Sequence, residues 1–188
     1  MNNWEENVVS KTKRLVVTVA LTLVLLMIPL VAMQFTDEVV WTAGDFLVAG
    51  VLLLAAGLAY ERVTRSVSNT YYQLACAVAL FTALLLVWVS LAVGIIGDEN
   101  HPANWMFAGV LAVAVIGSLW ARLQPRAMAR ALYVTTLVQF LVALLIVGGW
   151  AIGVSSFGAT PFVVCLMFMV MWFSSAALFW KASRTNPQ

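Results

Sequence analysis

The sequence predicts an all-α, polytopic transmembrane bundle of about six spans, arranged as three antiparallel hairpins with both termini cytoplasmic (N-in/C-in). Three observations predict it. Of 188 residues, 63% are hydrophobic and 10% charged, where a soluble domain is roughly 45–50% apolar and about 25% charged. The apolar residues fall in six long runs, charge-free except at their ends and at Asp45. The basic residues occupy only alternate links between those runs. Such a chain cannot cover itself with polar side chains, so lipid must solvate most of its surface.

Crossing a bilayer core of about 30 Å takes a helix of about 20 apolar residues. The runs that qualify are roughly 15–33, 39–60, 72–97, 103–121, 128–152 and 161–180. Helices are required because unpaired backbone groups are costly in lipid, and the runs lack the alternation of barrel strands. Residues 1–14 are expected to form a cytoplasmic segment and 181–188 a cytoplasmic tail. Span one follows Lys11, Lys13 and Arg14 like a signal peptide, yet Gln34-Phe35-Thr36-Asp37 offers no small-x-small cleavage site, so it is expected to remain. Pro29 should kink this span or end its regular part early. Asp37 and Glu38 suit the positive end of span two. His101-Pro102 and Thr160-Pro161 place proline where spans four and six begin. The links are short, so consecutive spans should be antiparallel neighbours in a single membrane domain covering 1–188.

Charge gives the orientation. Lys11, Lys13 and Arg14 precede span one; Arg62 and Arg65 follow span two; Arg122, Arg126 and Arg130 surround the fourth link; Lys181 and Arg184 follow span six. The opposite links carry Asp37, Glu38, Asp98 and Glu99 and no basic residue. Basic loops stay in the cytoplasm, which puts both termini there. Trp41, Trp105, Tyr60, Trp120 and Trp180 fall where aromatic belts are expected. An aromatic recurs at 60, 120 and 180, and Ala49-Gly50-Val51-Leu52 is echoed by Ala108-Gly109-Val110-Leu111. That recurrence fits three hairpins related by an axis along the membrane normal.

Two segments carry candidate chemistry. In a helix, Glu38, Trp41 or Thr42, and Asp45 would share one face and aim a carboxylate column along the outer mouth. Asp45 is the most membrane-inserted charge. Between spans three and four, Asp98, Glu99, His101 and Asn104 add oxygen donors and the only histidine. Glu38, Trp41, Asp45, Asp98, Glu99, His101 and Asn104 are therefore the candidate site for a small solute or cation. The plainer readings are an acidic outer turn, and His101 as a helix cap. Gly44, Gly50, Gly94, Gly97, Gly109, Gly117, Gly148 and Gly149 read as helix-packing positions. Thr18, Thr22, Gln73, Thr82, Ser90, Ser118, Thr135, Thr136, Gln139, Ser174 and Ser175 read as hydrogen bonders between helices. Cys76 and Cys165 read as small apolar residues at opposite depths, out of reach of a disulfide.

Other classes are disfavoured. One histidine outside the runs excludes a bis-histidine haem, and no cysteine pair has metal-ligand spacing. No cofactor and no confident metal site are expected. No Gly-x-Ser-x-Gly elbow, phosphate loop or His-Glu-x-x-His occurs, and no span holds lysine. The chain is expected not to be an enzyme, and no basic-aromatic run points to nucleic acid. Partners are expected to be the lipid bilayer and, in the alternative reading as a structural or accessory subunit, other membrane proteins or copies of itself. A membrane enzyme ranks third.

Phe35-Thr36-Asp37-Glu38-Val39-Val40-Trp41 and Val89-Ser90-Leu91-Ala92-Val93-Gly94-Ile95-Ile96-Gly97, followed by Pro102-Ala103-Asn104, resemble segments of uncharacterised small multi-span bacterial inner-membrane proteins. The likeness covers roughly residues 30–140. It implies a bacterial inner membrane and transfers no catalytic residue.

Overall fold

A computed structural model describes residues 3–36, 39–65, 67–92, 94–97, 101–152 and 160–185, with side chains from residue 12 onward. The described residues form six α-helices and no strand: α1 (Asn3–Ala32), α2 (Ala43–Thr64), α3 (Thr70–Ala92), α4 (Trp105–Trp120), α5 (Pro125–Ala151) and α6 (Thr160–Thr185). A 3₁₀ turn, Pro102–Asn104, leads into α4. Six helical segments are long and apolar enough to cross a membrane, which is consistent with a multi-pass membrane protein. Large apolar side chains stand exposed along all six helices, as lipid solvation requires. α4 shows the scale: its 16 residues span about 24 Å, and the tryptophans at its two ends, Trp105 and Trp120, are 78% and 86% exposed.

Two compact units are present, residues 1–65 and 66–188. In the first, α1 packs against α2. An added Cβ at Gly50 would lie 3.6 Å from Leu26, and one at Gly57 only 2.5 Å from Thr18, so the pair is antiparallel and closest at Gly57. Gly57 is absent from the glycines that the sequence marked for packing. Lys13 and Arg14 near the start of α1 thereby share one end with Arg62 and Arg65 at the end of α2. α1 ends within a turn of Pro29.

In the second unit α3 packs chiefly on α6, α5 and α6 chiefly on each other, and α4 on α5. The Tyr72 and Phe179 rings lie 5.2 Å apart and those of Tyr133 and Phe173 5.6 Å apart. The first pair joins the first turn of α3 to the later turns of α6, and the second, taken with Gln139 beside Cys165, advances along α5 as it goes back along α6, so both neighbours are antiparallel. α3 and α4, expected to pair as a hairpin, touch only lightly. The even succession of three hairpins is thus not what packs this unit; α3 is held by α6. Three bonds fix that contact at the basic end: the Ser175 hydroxyl donates to the Ala75 carbonyl at 2.8 Å, and the Asn69 amide to the Ala182 carbonyl and the Thr185 hydroxyl at 3.2 and 2.9 Å. The α4–α5 link turns through left-handed Arg122 and Leu123, φ 47° and 62°, strained for residues bearing a Cβ. Tyr72 steadies it by donating its phenol to the Leu123 carbonyl at 2.9 Å.

The core of this unit includes Leu86, Phe107, Leu132, Phe168, Trp172 and Phe179. Cys76 and Cys165 are free and buried, near the first turns of antiparallel helices and hence toward opposite ends. Of the marked glycines, Gly117 fits the packing role, its added Cβ being 3.0 Å from Ala131, whereas Gly109 and Gly148 meet nothing within 4 Å. Gly94 and Gly97 are turn residues instead, with φ 73° and 67°.

Gly57→Ala is expected to weaken the α1–α2 contact by about 1–3 kcal/mol, the usual cost of overpacking, while Gly109→Ala changes little. Thermal unfolding of both variants in the same detergent checks the contrast.

Candidate functional site

Residues 39–42 are not helical, so the helix expected to put Glu38, Trp41 or Thr42, and Asp45 on one face starts only after them. α2 begins at Ala43, so Glu38 and Trp41 precede it, and Glu38 itself lies outside the described residues. Thr42 is the N-cap and Asp45 the third helical residue of a reciprocal capping box. The Thr42 N–H and hydroxyl donate to the Asp45 carboxylate at 2.7 and 2.8 Å, and the Asp45 N–H donates to the Thr42 hydroxyl at 3.3 Å. The helix start leaves N–H groups without intrahelical partners, and an acid at this position supplies both an acceptor and a favourable charge. Asp45 is exposed and spends its carboxylate on the cap. Trp41 sets its ring edge-on to Phe46 at 5.0 Å. This is a helix start, with local reasons for each residue.

The second segment builds a cleft. α3 ends at Ala92, short of the expected 97, where the Gly94 N–H reaches back to the Val89 carbonyl at 3.0 Å. The chain then turns through Ile95 and Ile96, both buried. Asn104, also buried, holds that turn: its carbonyl oxygen accepts from the Ile95 and Ile96 N–H groups at 3.1 and 2.9 Å, and its amide donates to the Ile96 carbonyl at 3.2 Å. His101 caps the 3₁₀ turn, its Nδ1 accepting from the Ala103 N–H at 3.2 Å. The capping role read for His101 therefore holds. An accepting Nδ1 assigns the proton of a neutral ring to Nε2.

Where α3 and α4 touch lightly, a cleft of about 350 Å³ opens between Val87, Ser90 and Leu91 of α3 and His101, Asn104, Trp105, Ala108 and Leu111. Its size matches the small end of ligand pockets, roughly 300–1,000 Å³. Apolar walls surround three polar side chains and an indole, and two of the polar groups already serve the backbone. Ser90 differs. Its Oγ is buried with no hydrogen-bond partner. Thr82, Thr135, Thr136 and Ser174 each donate to the carbonyl one turn back, at 2.6 to 3.0 Å, the usual resource of a hydroxyl in an apolar helix. Thr22 does the same to Thr18 at 2.9 Å. Among the marked hydroxyls only Ser175 reaches a neighbouring helix in the bonds given above; the reading of this set as interhelical cross-links is corrected by the nearer i−4 carbonyl.

Gln139 makes no cross-link either. It is fully buried, with neither amide atom hydrogen-bonded, and the Cys165 thiol beside it is a weak partner. The Trp172 indole N–H is likewise buried and unbonded.

Trp41 and Asp45 belong to the first unit, His101 and Asn104 to the second; Asp98 and Glu99 lie outside the described residues. Among the described residues no three His, Cys, Asp or Glu side chains gather at metal-binding spacing. The sequence missed Ser90 as part of a site because it assumed α3 ran to 97. The signal available was Gly94, a natural helix stop one turn past Ser90. Comparison with protein-family models, curated proteins and solved structures gives no match.

Asn104→Ala strips two buried N–H groups and a carbonyl of their partners. Each orphaned group costs about 1–3 kcal/mol, so Asn104→Ala should unfold at clearly lower temperature than Thr42→Ala, which loses one exposed cap worth about 0.5–2 kcal/mol.

Proposed function

We propose that this chain is a non-enzymatic multi-pass protein of a bacterial inner membrane that binds, or passes, a small solute in the α3–α4 cleft. The observation that carries the reading is the Ser90 hydroxyl, buried on the cleft wall without a partner while comparable hydroxyls bond their own helix. A buried polar group left unpaired costs free energy, and a turn of the Ser90 χ1 that brings the hydroxyl to the cleft surface would let a bound polar solute meet that need. The Trp105 indole and the Leu91 and Leu111 side chains favour an organic body. Asp98 and Glu99, on the link between Gly97 and His101, favour a cationic head. In this reading the basic ends of both units face the cytoplasm and the cleft opens to the outer side.

The second reading, an accessory subunit, is supported by Gly109 and Gly148, exposed glycines with open space beyond them, where another helix backbone could approach.

Choline and benzyl alcohol, titrated against the detergent-purified chain, test the first reading as cationic and neutral probes. At least one should raise the unfolding temperature saturably. Ser90→Ala should reduce that shift several-fold, and Ala108→Trp, which fills the cleft, should abolish it. No saturable shift with either probe, or a shift indifferent to Ala108→Trp, would sink it. Orientation is checked by single cysteines at Arg122 and Ser155 in a Cys76→Ala, Cys165→Ala background: a membrane-impermeant thiol reagent added to intact cells should label position 155 and spare position 122.

A further inference from the structure

α5 carries Arg126, Arg130, Tyr133, Leu137 and Phe140 at successive spacings of four and three residues, which puts them on one face of the helix. On α6, Val170, Phe173, Trp180 and Arg184 keep the same rhythm. Between these two faces lies an apolar groove of about 470 Å³, walled by Tyr133, Leu137 and Phe140 on one side and Val170 and Phe173 on the other. The one hydroxyl of its wall outside Tyr133, that of Thr136, is turned to the Leu132 carbonyl at 2.8 Å. The groove runs along the membrane-spanning part of the helices, and its aromatic end, where Tyr133 meets Phe173, is the end nearest Arg130.

Among the described residues of this unit, the cations at that end have no acid beside them. From Ser66 to the last residue the only acids are Asp98 and Glu99, which belong to the link between Gly97 and His101, where α3 finishes and α4 begins. Arg122, Arg126, Arg130, Lys181 and Arg184 all gather at the other end. Arg126 and Arg130 are exposed, and Arg126 sits in the first turn of α5, where the helix dipole adds positive potential rather than relieving it. Arg184 stacks over Trp180 with its guanidinium carbon 5.4 Å from the ring centre, while Lys181 turns away to Tyr71 at 4.2 Å. From Arg130 to Phe140 the helix rises about 15 Å, half of a hydrocarbon core about 30 Å thick. The groove itself, from Tyr133 to Phe140, takes up about 10 Å of that rise, so an apolar groove about two-thirds of a leaflet deep leads up from the guanidinium groups.

We propose that this face of α5 and α6 is a binding site for one anionic glycerophospholipid, with an acyl chain in the groove and the phosphate held by Arg130 and Arg126. Charge complementarity selects the head and groove depth the tail. A zwitterionic lipid offers the same phosphate but carries with it a cation that the arginine cluster repels. Guanidinium groups suit phosphate because they offer paired donors in one plane, and basic side chains at the membrane surface each contribute about fivefold in affinity for anionic lipid.

Native mass spectrometry of the full chain in mild detergent tests this, titrating phosphatidylglycerol against phosphatidylcholine with identical acyl chains. The first should bind roughly 30-fold more tightly, the product expected from two such groups. Arg130→Gln should cost several-fold in phosphatidylglycerol affinity, and Arg126→Gln/Arg130→Gln should bring it to the phosphatidylcholine level. Arg122→Gln removes the same charge off the α5 stripe and should change little. Thr136→Trp fills the groove and should weaken both lipids. Glycerol 3-phosphate, a headgroup without chains, should not displace the bound lipid. Equal affinity for the two lipids would mark an ordinary annular contact and overturn the proposal. Equal losses in Arg122→Gln and Arg130→Gln, indifference to Thr136→Trp, or displacement by glycerol 3-phosphate would overturn it as well. The wild-type comparison and the single variants decide the matter even if the double variant fails to fold.

Discussion

Every feature of this chain answers to the need for each backbone N–H and C=O to find a partner where there is no water to supply one. Inside the helices that demand is met locally, residue by residue. It returns at each helix end, where several donors or acceptors are left over, and the side chains that matter most to the architecture are the ones that answer it there. Thr42 and Asp45 close the start of α2, and Asn104 closes the turn after α3. Asn69 accepts from the Tyr71 and Tyr72 N–H groups at 2.9 and 3.2 Å at the start of α3 while binding the end of α6 with its amide. Tyr72 holds the strained α4–α5 link. Several residues that looked like candidates for chemistry are therefore occupied in finishing helices.

The same constraint separates ordinary polar side chains from unusual ones. A serine or threonine in an apolar helix satisfies itself on the preceding turn, and most of them here do. Ser90, Gln139 and Trp172 are buried and do not. Gln139 lies beside Cys165 between α5 and α6 and Trp172 is buried in the core of the unit, whereas Ser90 lines an opening that another molecule can enter. That difference, rather than burial itself, makes the α3–α4 cleft the better candidate for a solute.

Charge divides the second unit into two ends with different prospects. One end gathers arginines around an apolar groove and suits a molecule that is itself half lipid. The other carries the cleft, its histidine and an acid-bearing link, and suits a small solute arriving from water. The light contact between α3 and α4 is what frees the cleft, and it follows from α3 being held by α6 instead. A helix hairpin tightly closed at Gly97 to Asn104 would have left no space there.

The order of apolar runs and charges along the chain determined the six helices of the described residues, roughly where each lies, and that the basic residues of each unit share an end. These depend on properties local to the chain: an apolar run long enough to cross lipid, a proline or capping residue at its start, and arginines confined to alternate links. The capping role of His101 was legible for the same reason. The pairing of α3 with α6, the close approach at Gly57, the turn clamped by Asn104 and the cleft at Ser90 were decided only by the tertiary structure. In lipid an apolar residue is equally at home against solvent and against another helix, so these helices, apolar nearly all round, carry no stripe that announces their inner face. Which surfaces meet is then settled by shape, by a missing Cβ or a fitted ring, and shape is a property of two helices together.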